Sequence, residues 1–84
     1  MSARVGIEFV PIEGALVRLL GLIERRGFEV RGVRMAERPC GRSATLSVDV
    51  SPRDPGRRLD VLEQQLRRLH GVQDITMPTA KAPA

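Results

Sequence analysis

The sequence predicts an α+β fold with the element order β-α-β-β-α-β in one small domain. Three observations predict it. Two stretches have helical apolar spacing and each is closed by a glycine, four short stretches around them alternate with period two, and 84 residues leave room for one thin core. The expected boundaries are a domain over residues 1–77 and a disordered small-residue tail over residues 78–84.

The first strand is expected over residues 4–10, with Val5, Ile7 and Phe9 on one side and Gly6 and Glu8 on the other. Pro11, Ile12, Glu13 and Gly14 then connect it to a helix over residues 15–26. Leu16, Leu19, Leu20 and Ile23 in that helix fall at i, i+3, i+4 and i+7, and Gly27 stands where a helix ends in a left-handed residue. The second strand, residues 28–36, alternates in one phase at Phe28 and Val30 and in the other at Val33 and Met35. A bulge at Arg31-Gly32 would bring the two halves into one facing. Residues 37–41 form a turn. Residues 43–50 are the clearest strand, with Ala44, Leu46, Val48 and Val50 inward and Thr45, Ser47 and Asp49 outward. A loop over residues 51–56 leads to a second helix expected to start near residues 55–57, capped by Ser51 or Asp54, with Leu59, Leu62, Leu66 and Leu69 as its stripe. Gly71 ends that helix, and residues 72–77 supply the last strand. This order is that of the ferredoxin-like sandwich: a four-stranded antiparallel sheet, two helices on one face, strands one and three central.

Composition narrows the function. The net charge of +4 comes from thirteen arginines and one lysine against ten carboxylates. The arginines are scattered among acids such as Glu8, Glu24, Glu29, Asp49 and Glu63, so no run of like charge forms a phosphate track. An RNA-recognition sheet of this topology stacks bases on aromatics, but the outward positions here are Gly6, Glu8, Thr45, Ser47 and Asp49. Nucleic acid is therefore not an expected partner. Arg18 and Glu24 interrupt the apolar stretches, and no signal-peptide core is present, so a cytoplasmic chain without membrane spans is expected.

Catalytic chemistry is equally sparse. His70 is the single histidine, placed at the end of a helix, and Cys40 is the single cysteine, in a turn without a base partner. One His, one Cys and scattered acids do not make a metal site. An acylphosphatase would need a phosphate-cradling loop at the first strand-helix junction, where this chain has Glu13. What remains is that junction itself, with Gly14 setting a turn and leaving backbone N–H groups open to a small anion, and an available strand edge.

Gly14-Ala-Leu-x-Arg18-x-x-Gly21-Leu22-x-x-x-Arg26-Gly27-Phe28, followed by Val33 and Met35, resembles the ACT domain of the regulatory small subunit of acetolactate synthase. The resemblance continues through Leu59-x-x-Leu-x-x-Gln65-Leu-x-x-Leu69-x-x-Val72 and covers residues 4–77. It implies a non-catalytic protein in branched-chain amino acid biosynthesis that binds a catalytic large subunit and raises its activity. Thiamine diphosphate, FAD and magnesium would sit on that large subunit, and no cofactor on this chain. It also implies a homodimer through the first helix and the second-strand edge at Phe28, Val30, Arg31 and Val33. A branched-chain amino acid effector would lie between Pro11, Ile12, Glu13, Gly14, Ala15 and Leu16 of one copy and Glu29 and Val30 of the other. Feedback-sensitive members carry asparagine where this chain has Pro11 and Glu29. Pro11 has no N–H and Glu29 sets a negative charge near an effector carboxylate, which argues against valine feedback and for the short, valine-insensitive type. The alternative expectation is a free-standing ACT domain that senses an amino acid.

Overall fold

Alternation and glycine termination produce the expected order in the computed structural model, which describes residues 3–39, 41–54, 56 and 58–77. The elements are β1 (Ala3–Phe9), α1 (Ala15–Arg25), β2 (Phe28–Glu37), β3 (Ala44–Pro52), α2 (Leu59–Arg67) and β4 (Val72–Thr76). Cys40 and the 78–84 tail lie outside the described residues.

The sheet runs β2-β3-β1-β4, so β1 and β3 are central and β2 and β4 are edges. All three pairings are antiparallel. Val5, Ile7 and Phe9 on β1 stand opposite Val48, Leu46 and Ala44 on β3, which puts the aliphatic row of each strand on one face. These residues are at most 2% exposed and form the floor of the core. The roof is Ala15, Leu19, Leu22 and Ile23 from α1 and Leu62 and Leu66 from α2.

Two local details depart from the sequence expectation, and a third goes beyond it. Leu16 and Leu20 are only half-buried, while Leu22 and Ala15 are buried. Leucine or isoleucine at 16, 19, 20, 22 and 23 covers more than one helix face, and packing on the sheet selects the arc through 15, 19, 22 and 23. α2 begins at Leu59, after the extended Arg58, and no side chain caps it. Neither Ser51 nor Asp54 takes that role. The Asp54 Oδ1 accepts the Gly56 N–H at 3.1 Å in the preceding loop, and Asp60 accepts the Val61 N–H at 3.0 Å inside the first turn, where a carboxylate suits the helix dipole. The third detail concerns Val33 and Met35. The register shifts between Val30 and Gly32, the expected bulge, so Val33 pairs with Val48 and Met35 with Leu46 on the helix side. They nevertheless stay 47% and 41% exposed, because the helices do not fully cover this end of the edge strand.

Candidate functional site

The β1–α1 junction is held by its backbone. The Val10 N–H donates to the Gly71 carbonyl at 2.8 Å, Ile12 to Val10 at 2.8 Å and Ala15 to Ile12 at 3.0 Å, which ties the turn to the end of α2 and the start of β4. Gly14 is the N-cap of α1 with φ 83° and ψ −5°, a left-handed conformation that a side chain would strain. No side chain caps α1 and no acid lies in its first turn. Ile12, Glu13 and Gly14 are exposed, Pro11 and Leu16 are half-buried, and Ala15 belongs to the core.

Arg18 completes this junction, and sequence reasoning assigned it no role. Its Nη1 lies 3.1 Å from the point a Gly14 Cβ would occupy, and its Nη2 donates to the Glu13 carbonyl at 3.4 Å. The spacing of four from Gly14 was the available signal, since a residue one helical turn on reaches back over the N-terminus. Behind it, Val10, Ala15, Leu69 and His70 enclose only about 10 Å³, at the lower limit for one water. A single copy therefore has no internal chamber here.

β2 presents the second feature. Its outer side is paired with no described strand. Phe28 is 1% exposed and gives its side chain to the chain's own core, so at the edge it offers backbone. Glu29 pairs with Arg31 at 3.3 Å on the surface, and Val30 is half-buried opposite Val50. Beyond the bulge, Val33 and Met35 leave an apolar strip at a free edge.

The two halves of the expected effector site do not meet within one chain. Residues 11–16 lie at the start of α1, and Glu29 and Val30 follow its end, about 16 Å away along an 11-residue helix. Only a second copy could bring them together.

Catalytic equipment is thin. Among the described residues no group of three His, Cys, Asp or Glu could hold a metal ion. No helix is long and apolar enough to cross a membrane. The ion pairs Arg4–Asp49, Arg38–Glu8, Arg58–Asp60 and Arg67–Glu63 are on the surface. Arg4 holds its proton more firmly than an ordinary guanidinium because Asp49 accepts its hydrogen bond and opposes its charge. His70 is exposed.

The chain is thus a small βαββαβ sandwich with a glycine-set helix start and a β2 edge that no described strand pairs. The family model described as ACT domain matches residues 11–75, and the chain belongs to that family. The fold is shared with the ACT domain of a GTP pyrophosphokinase from Chlorobium tepidum at 17% identity and TM-score 0.73, covering 92% of this chain and 96% of that one. The acetolactate synthase small subunit of Thermotoga maritima superposes with TM-score 0.79 at 18% identity, over 98% of this chain and 50% of that one. This chain thus spans half the length of that subunit. The C-terminal domain of the MgtC protein from Mycobacterium tuberculosis gives TM-score 0.71 at 18% identity, covering 99% and 92%. No curated protein sequence gives a significant match.

Proposed function

We propose that this chain is the small, non-catalytic subunit of an acetolactate synthase and activates the large subunit by contact. The observation that carries the reading is the β2 edge, which is paired with no described strand and bears Val33 and Met35 at 47% and 41% exposure. The motif from Gly14 to Phe28, through its resemblance to that small subunit, supports the choice of partner. In this reading two copies pair through β2 and α1, and the pair docks on the large subunit in the cytoplasm. Thiamine diphosphate, FAD and magnesium belong to that subunit.

Pro11 and Glu29 keep their weight in this reading. Pro11 offers no donor at the junction, and the Glu29 carboxylate, paired with Arg31, would in this reading add negative charge near an effector carboxylate. Activation without valine feedback follows. Reconstitution with the large subunit tests it: acetolactate formation rises when the chain is added, and unchanged rate and stability refute the assignment.

Arg18 favors a second reading, a free-standing ACT domain that senses an amino acid. Its guanidinium beside the uncapped start of α1 gives that junction a charged donor for a carboxylate. Calorimetry with valine, leucine and isoleucine separates the two. Saturable heat from any of them supports the sensor and contradicts the reading of Pro11 and Glu29.

A further inference from the structure

The helices cover one face of the sheet and leave the other open, and on that open face the register creates a basin. Arg4, Asp49 and Gly32 stand side by side on β1, β3 and β2, and the next row is Gly6, Ser47 and Arg34. Each row thus lacks one side chain. The missing volume at Gly32 leaves a recess of about 200 Å³ lined by Arg4, Gly32, Val33, Arg34, Ser47 and Asp49. A Cβ on Gly32 would lie 3.2 Å from the Asp49 Oδ2, so the glycine is what leaves that oxygen room.

The charges in the basin are of both signs and incompletely matched. The Arg4 Nε donates to the Asp49 Oδ1 at 2.9 Å, which leaves Oδ2 open beside Gly32. Arg34 is the diagonal cross-strand neighbor of Asp49, within reach of a long side chain. Among the described residues Arg34 has no ion pair, whereas Arg4 and Arg38 on the same face are each paired with an acid. The recess therefore presents one unmatched guanidinium, one open carboxylate oxygen and the Ser47 hydroxyl.

We propose that this basin is a binding site for a small zwitterion of α-amino acid type, separate from the β1–α1 junction. The carboxylate lies against the Arg34 guanidinium, which donates two parallel N–H bonds, and the ammonium donates to the Asp49 Oδ2 and the Ser47 Oγ. A simple anion meets the charge of Asp49 and a simple cation meets two guanidinia, so the mixed lining selects a ligand carrying both charges. The recess is smaller than the ~300 Å³ at which drug-sized pockets begin, which limits the occupant to a few heavy atoms. Its openness to water keeps the binding weak, with a Kd on the order of 1 mM. The proposal does not rest on the large-subunit reading, which enzyme reconstitution tests by itself.

Glycine, acetate and methylammonium, titrated separately into the ¹⁵N-labelled full chain, test it. Glycine is expected to move the amide signals of Gly32, Arg34, Ser47 and Asp49 saturably, with acetate and methylammonium weaker by about tenfold or more. Arg34→Gln removes a charge from an exposed side chain and leaves the core intact. It is expected to weaken glycine by about tenfold, and Gly32→Ala weakens it as well by displacing the Asp49 carboxylate. Acetate binding as well as glycine, Arg34→Gln binding like the parent, shifts confined to residues 11–16, or no saturable shift up to about 50 mM would each overturn the proposal.

Discussion

In the proposed pairing through β2, replacing Val33 and Met35 together by lysine should separate two copies of the chain while leaving each copy folded. Full burial of a valine or methionine side chain contributes about 1.5–3 kcal/mol. Val33 and Met35 retain 47% and 41% of their exposure, so covering what remains is worth roughly 1.3–2.6 kcal/mol per copy and about 3–5 kcal/mol for a symmetric pair. At 1.4 kcal/mol per factor of ten, the loss corresponds to a dimer dissociation constant raised about 100-fold or more, before repulsion among four lysines is counted. Lysine is also the residue that natural edge strands use to prevent pairing. Sedimentation equilibrium of both proteins over a concentration series measures the effect, and thermal unfolding of the variant at low concentration checks the monomer. Because neither side chain belongs to the buried core, the monomer should unfold within about 1 kcal/mol of the parent. An unchanged association constant, or a parent chain that stays monomeric at high concentration, would refute the use of this edge.

Two further predictions concern the fold that carries the site. Gly14→Ala places a Cβ at φ 83° and 3.1 Å from the Arg18 Nη1, so it should lower stability by about 1–2 kcal/mol and Tm by several degrees, read by circular dichroism. Leu62→Ala empties a fully buried position under α2 and should cost about 2–5 kcal/mol in urea unfolding. A change below about 1 kcal/mol would mean that α2 is not anchored there.

Much of the fold was legible because its signals are local. The alternation at Ala44, Leu46, Val48 and Val50 is a property of one strand, and each of these residues is buried as expected. Gly27 and Gly71 follow the two helices with φ 91° and 93°, the left-handed values their places implied. The change of phase in β2 announced the bulge between Val30 and Gly32. α2 starts later than the sequence suggests because Ser51 and Asp54 are good capping residues in isolation, whereas local sequence does not say which loop bonds they make. The role of Arg18 is not legible for a related reason. Its position four residues after Gly14 is legible, whereas the fold of its side chain back onto Glu13 depends on the surrounding surface.

Periodicity and glycine placement by themselves determined six elements in βαββαβ order and the aliphatic rows that make the core, since these follow from backbone geometry repeated every two or 3.6 residues. Only the tertiary structure decided that α1 buries Leu22 in place of Leu20, that Val33 and Met35 remain exposed, and that Arg4, Gly32 and Asp49 share one row of the open face. Burial depends on what lies above a side chain and register on what lies beside it. Both are settled by parts of the chain tens of residues away.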